Sequence, residues 1–193
     1  ITNFCEINPS TSYQKEVEQI SFLPMECISD IYGEIIELRD GEKGKSKGYT
    51  RFQENDVLWA KITPCMQNGK SVIAKNLKNG YGYGSTEYHV FRAKEDKVIP
   101  EFLYCFLRTK AVRELAKVYF TGSAGQQRVG ADFLEALTLP NIPIKSDDKS
   151  ILTQQIIVDK IFDMKSKIKE LKTKSSNLRH KAKKEFEEDI FDE

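Results

Sequence analysis

The sequence predicts an α/β fold, with a mixed-sheet domain over residues 1–147 and a long C-terminal coiled-coil helix over 148–193. Three observations carry this expectation. As far as Pro100, short runs rich in Val, Ile, Tyr and Phe alternate with glycine-bearing turns. After Pro100 the apolar period becomes helical. From Ser150 onward, apolar residues recur at alternating steps of four and three, a spacing of about 3.5 residues.

Taken in order, "DVLWAKIT" (56–63), "SVIAK" (71–75) and "EYHVFRA" (87–93) read as strands. The connectors "QNGK" and "KNGYGYGS" carry Asn-Gly steps, a strong turn signal. "GEKGKSKGY" (41–49) is polar and glycine-rich, and is expected to be an exposed loop. "PEFLYCFLRT" and "KAVRELAKVYF" fit two short helices, with Pro100 in the first turn and Thr109 as a cap. "ADFLEAL" fits a third. "LTLPNIPI" is expected to be extended, because each proline disfavours helix before it.

The final segment is expected to be helical from Ser150. Its seam comprises Ile157, Ile161, Met164, Ile168, Leu171, Leu178 and Ala182, with Ser175 in register. Such a helix would be about 60 Å long at ~1.5 Å per residue, and its seam calls for a partner helix. With Ile161 and Ile168 at a positions, the flanking e and g positions are Lys165, Lys167, Lys172, Lys174, Arg179 and Lys181. A parallel homodimer would oppose these charges. An antiparallel one would lay the acidic stretch "EFEEDIFDE" along them, while an acidic protein or DNA phosphates are further partners of suitable sign.

Thirty basic and 29 acidic residues leave a net charge of +1, which decides nothing globally about partners. Cys5, Cys27, Cys65 and Cys105 form no C-x-x-C pair, and with two histidines in the chain no metal site is expected. Cys27, Cys65 and Cys105 sit among apolar residues and read as buried free thiols in a reducing compartment, and the absence of a long apolar run points to a cytoplasmic protein. Catalytic motifs are missing too. "GEKGKS" would need glycine at Arg39 to be a phosphate loop, and Ser123 lacks the glycine spacing of a nucleophile elbow. "EDK" (95–97) has no convincing upstream aspartate to complete a nuclease site, and no Asn/Asp-Pro-Pro-aromatic segment exists for amino-group methylation. His89 on a strand and His180 on the long helix read as structural. The chain is expected to be non-catalytic.

Polar loops remain. "TGSAGQQRV" (121–129) offers Thr121, Ser123, Gln126, Gln127 and Arg128 around Gly122 and Gly125. Freed backbone amides, hydroxyls and a guanidinium hold phosphates, while carboxamide and guanidinium groups also match adenine and guanine edges. Lys61 and Lys70 flank a second turn, Ser85 and Thr86 follow a Tyr-Gly repeat, and Lys43, Lys45 and Lys47 populate the 41–49 loop. The alternative for all of these is a structural role.

"FCEINP", "DVLWAKITPCMQNGK", "GSTEYHVFR", "TGSAGQQRV" and "FLEALTLPNIPI" leading into a long helix, in this order, resemble the specificity subunit of type I restriction–modification systems. The resemblance implies one target-recognition domain and one helical spacer. It further implies a non-catalytic reader of one half of a bipartite double-stranded DNA site, working with adenine-N6 methyltransferase subunits and an endonuclease/translocase subunit. Spacer helices pair antiparallel in this family, which leaves an antiparallel homodimer as one arrangement. S-adenosylmethionine and ATP would belong to the partner subunits, with no cofactor on this chain. One departure stands out: where the family often has Leu-Glu-Glu-Gln, this chain has Ile151-Leu152-Thr153-Gln154, lacking both acids. The recognition domain of a fused restriction–methylation enzyme, and a coiled-coil adaptor without DNA binding, stay open as alternatives.

Overall fold

The computed structural model describes residues 1–123 and 125–191. Two four-stranded sheets build the larger of two compact units, Ile1–Gln155; the second begins at Ile156. The first sheet is antiparallel and runs β1 (Cys5–Ile7), β8 (Tyr88–Ala93), β5 (Val57–Ala60), β6 (Ser71–Ile73). The second is mixed, in the order β3 (Arg39–Glu42), β2 (Gln19–Leu23), β7 (Tyr81–Gly84), β4 (Thr50–Gln53), with β2 and β7 parallel.

Every residue of β5 is buried, so both faces of the first sheet are covered. Leu58, Val72, Tyr88 and Val90 pack with Leu23 and Phe52 of the second sheet in one hydrophobic cluster. On the opposite face Trp59 reaches α1 (Pro100–Leu107), donating its indole N–H to the Leu107 carbonyl at 3.2 Å. The alternation follows from the two-residue strand period. Arg92 on β8 closes one corner with a bidentate pair to Asp56, whose side chain is 1% exposed, and a further donation to Thr11 Oγ1.

The helices begin where the sequence places them. α1 starts on Pro100, α2 (Lys110–Val118) is capped by Thr109, whose hydroxyl accepts from Val112 N, and α3 is Ala131–Ala136. The last helix, α4 (Gln154–Phe191), starts four residues later than expected. Asp148 turns the chain first, its carboxylate accepting from the Ser150 amide and hydroxyl. Gln154 is completely buried. Its carboxamide accepts from Ile99 N and donates to the carbonyls of Lys97 and Ile142.

Three other expectations need correction. The strand expected over 56–63 ends at Ala60, although Ile62 still makes an isolated bridge to Arg128. The connector "KNGYGYGS" turns only at Lys78–Gly80, and Tyr81–Gly84 is a central strand of the mixed sheet. Its glycines serve close approach: a Cβ at Gly82 would come within 2.4 Å of the Phe52 ring, and one at Gly84 within 2.1 Å of the Leu23 carbonyl oxygen. The 41–49 loop is likewise more ordered than its composition suggests. Gly41 and Glu42 complete β3, and Lys43–Ser46 is a short 3-10 turn fixed by the buried Ser46, whose hydroxyl donates to Lys43 O at 2.8 Å.

On α4, Ile157 and Ile161 are half-buried, whereas Met164, Ile168, Leu171, Leu178 and Ala182 are exposed. Lys181, Lys183 and Lys184 pair along the helix with Glu185, Glu187 and Glu188, so part of the acidic end is engaged within its own helix. Such exposed i,i+4 pairs contribute only about 0.3–0.5 kcal/mol each and exchange readily.

Candidate nucleic-acid interface

The loop 121–129 closes a two-stranded ribbon, β9 (Phe120–Thr121) against β10 (Arg128–Val129). Gly122 and Gly125 take φ of 103° and 82°, which lets the described tip residues turn tightly. Main-chain groups fix the ribbon's base to the first sheet's exit. Val129 N donates to Lys61 O at 3.0 Å, and Thr63 N donates to Gln127 O at 2.9 Å.

His89 supplies a third anchor from β8. Its Nε2 lies 2.8 Å from Val129 O, and its Nδ1 lies 3.0 Å from the Asn8 amide nitrogen. A carbonyl accepts only, so Nε2 carries the hydrogen and Nδ1 accepts from Asn8, whose own oxygen accepts from Val90 N. Burial holds the imidazole pKa below its usual value, favouring this neutral form.

Arg128 is bound from one side. Its Nε and Nη2 donate to the Glu87 carboxylate at 2.9 and 2.8 Å, and its Nη1 donates to Gln126 O at 2.8 Å. The guanidinium contact holds Glu87 below the ordinary carboxylate range, and the carboxylate in turn raises Arg128. Lys61 adds positive charge beside the same pair, and its amide donates a backbone hydrogen bond to Glu87 O. Ser85 accepts from Glu87 N, shaping the step from β7 to β8, and Thr86 is exposed on that step.

Lys61, Ser85, Thr86, Thr121, Gln126, Gln127 and Arg128 are thus brought to one region around the ribbon base and Glu87. At the ribbon, Thr121, Ser123 and Gln126 are exposed, while Gln127 and Arg128 are half-buried. Lys70 is not part of this group, since its ammonium donates to Met25 O at 3.0 Å. The 41–49 lysines lie elsewhere as well. Lys43 is spent on the carbonyls of Gln14 and Lys15, Lys45 pairs with Glu42, and Lys47 is exposed.

Sequence reasoning missed a neighbouring cleft of about 360 Å3, which Lys61 shares with Asn8, Ser10, Thr11, Tyr49, Thr50 and Arg51. Arg51 is exposed and stacks over the Tyr13 ring at 5.1 Å, and Tyr13 meets Tyr81 edge to face. Tyr49 packs edge-on against Phe22 and Tyr83. Cations set among aromatic faces and hydroxyls suit a nucleic-acid backbone. The available signal was "GYTRF", an alternating run whose outward Arg51 follows from β4. Among the described residues, no three His, Cys, Asp or Glu side chains could hold a metal, and no helix is long and apolar enough to cross a membrane.

Residues 1–179 match the family described as the type I restriction modification DNA specificity domain. The chain belongs to this family. Two curated relatives from Escherichia coli agree. The type I restriction enzyme EcoAI specificity subunit is 36% identical over 153 residues, and the EcoEI specificity subunit 35% over 144. Those alignments cover 79% and 74% of this chain but 26% and 24% of the relatives, so the chain spans about a quarter of their length. Among solved structures, the HsdS subunit from Thermoanaerobacter tengcongensis superposes with a TM-score of 0.62 at 17% identity, over 88% of this chain and 40% of that one. A chain from a study of complex assembly and conformational transition in a type I R-M system gives 0.61, with the same identity and coverage. The specificity family therefore shares both the sequence signature and the sheet-and-long-helix fold seen here.

Proposed function

We propose that this specificity chain is a non-catalytic reader of double-stranded DNA, recognising one half of a bipartite site and directing an adenine-N6 methyltransferase and an endonuclease/translocase to it. The observation that carries the reading is the ribbon of Gln126, Gln127 and Arg128, pinned by main-chain bonds beside Lys61. In a member of a DNA specificity family, carboxamides and a guanidinium on a rigid base suit base edges, while Lys61, Arg51, Lys45 and Lys47 suit phosphates. Thr121, Ser123, Ser85 and Thr86 supply hydroxyls at the border of the same surface, and Lys43 and Lys70 act through the fold. S-adenosylmethionine and ATP are needed only by the partner subunits.

In the same reading the seam of α4 pairs antiparallel with a second spacer helix, from another copy or from another part of a longer chain. The basic flanks of the seam and the acidic stretch beyond Lys184 favour opposed directions. The test is a map of N6-methyladenine in a host lacking its own methylation, co-expressing this chain with the methyltransferase encoded beside it. A two-part motif with symmetric halves is the expected result for a homodimer. An unmodified genome, with both proteins expressed and folded, would remove the homodimer and leave either a piece that needs its other half or a coiled-coil adaptor.

A further inference from the structure

Arg128 has five N–H groups, and the observed contacts use them unevenly. Nε and one N–H of Nη2 are directed at Glu87, and one N–H of Nη1 at the Gln126 carbonyl. What remains is one N–H on each terminal nitrogen. The outward N–H groups of the two Nη atoms form the parallel fork that engages guanine O6 and N7, and these are the two left over when Gln126 O takes the Nη1 hydrogen on the Cδ side. The Arg128 side chain is 42% exposed and that of Glu87 22%, so the carboxylate is the more enclosed partner.

We infer that Glu87 is a positioning residue for base readout: it clamps the Nε edge of Arg128 and leaves the terminal fork directed to a guanine in the DNA groove. This rests on the reading of Arg128 as a DNA contact. Three features support it beyond the ion pair itself. Glu87 is fixed on both sides, its amide donating to Ser85 Oγ and its carbonyl accepting from Lys61 N. The main chain of Arg128 is fixed independently, through the Ile62 bridge and the Val129 anchors, so the carboxylate is not needed to hold the ribbon. Finally, an unrestrained arginine loses more rotamer freedom on binding than one already clamped.

A carboxylate facing phosphates would ordinarily oppose binding, so its removal separates the possibilities. The full chain, together with its methyltransferase, is to be presented with a randomised duplex DNA library, and bound sequences compared for wild type, Arg128→Ala, Glu87→Gln and the charge-swapped pair Glu87→Arg with Arg128→Glu. Thermal melting of each variant accompanies the selection. The expected result is that Arg128→Ala and Glu87→Gln lose preference at the same guanine, by about tenfold or more, while Glu87→Gln holds or gains affinity for non-specific duplex. The swapped pair keeps a salt bridge at the ribbon and is expected to melt near wild type without the guanine preference. Glu87→Asp, which keeps the charge on a shorter arm, covers the case in which Glu87→Gln alone fails to fold: a weakened preference at the same guanine is expected, and a full preference would overturn the clamp.

Three other results would overturn the inference. If Arg128→Ala changes the profile and Glu87→Gln does not, Arg128 reads DNA without a clamp. If Glu87→Gln weakens all sequences alike in step with a lower melting temperature, Glu87 only holds the fold. If Arg128→Ala leaves the profile unchanged, the reading of Arg128 as a DNA contact falls, and the clamp with it.

Discussion

His89 Nε2 lies 2.8 Å from the carbonyl oxygen of Val129, joining two residues forty positions apart. The bond ties the ribbon that carries Arg128 to the central antiparallel sheet, and the buried imidazole stacks beside Trp59 at 6.4 Å between ring centres. Its neutral form is part of the structure.

Stability is therefore expected to fall in mild acid. Burial lowers the His89 pKa in the folded chain, so its contribution is complete above the unfolded value of about 6.5 and is lost as pH falls through the lower, folded one. Glu87, also lowered, adds a second loss only at more acid pH, below about 4.3. Urea unfolding between pH 8 and pH 5 checks this, with about the same free energy across that range as the contrary result. His89→Ala is expected to cost about 2–3 kcal/mol at neutral pH and to flatten the mild-acid slope, by leaving Val129 O and the Asn8 amide without their partner.

Arg128→Ala is expected to relax one base preference by about 1–3 kcal/mol in discrimination. Competition binding between cognate duplexes and single-base variants measures it, and an unaltered ranking of those duplexes would contradict the site.

Replacing Lys45 and Lys47 by Ala should weaken all duplexes alike and reduce the salt slope by about one for each phosphate the chain no longer neutralises. Titrations at several salt concentrations decide this. Lys43→Ala is expected to behave differently, lowering stability instead of the salt slope, because its ammonium bridges the carbonyls of Gln14 and Lys15.

Gln154→Ala should destabilise the larger unit by about 3 kcal/mol, since it strips partners from three main-chain groups, Ile99 N, Lys97 O and Ile142 O. Chemical denaturation followed through the buried Trp59 reports it. A change under about 1 kcal/mol would mean that other partners replace the carboxamide.

Where the seam of α4 pairs two copies of the chain, charging it with Leu171→Asp and Leu178→Asp is expected to separate them without altering the melting of the sheet-bearing unit. Sedimentation of the full chain before and after the change tests this, and an unchanged sedimentation coefficient would exclude pairing of copies through this seam.

What could be read from sequence depended on where the determining interactions lay. β5, β6 and β8 were legible because their apolar runs are long enough to cover both faces of a buried sheet. Thr109 announced α2 through its own cap. β7 was hidden, because "YGYG" reads as a turn until the Phe52 ring and the Leu23 carbonyl are seen beside its glycines. For the candidate site, the sequence showed residue types but not which groups each would face. Glu87 and Arg128 are 41 residues apart, and nothing local says that Lys43 and Lys70 face carbonyls of their own chain while Arg51 faces outward.

The ribbon's anchors to Lys61 and Thr63, and the His89 bond to Val129, all end on main-chain atoms of the ribbon. Such attachments are blind to the side chains they carry. Gln126 and Gln127 can therefore be exchanged by mutation with little penalty to the framework, as type can be reset in a fixed frame. If the ribbon reads DNA as proposed, a change of target could be made at these positions while the framework bonds stay in place.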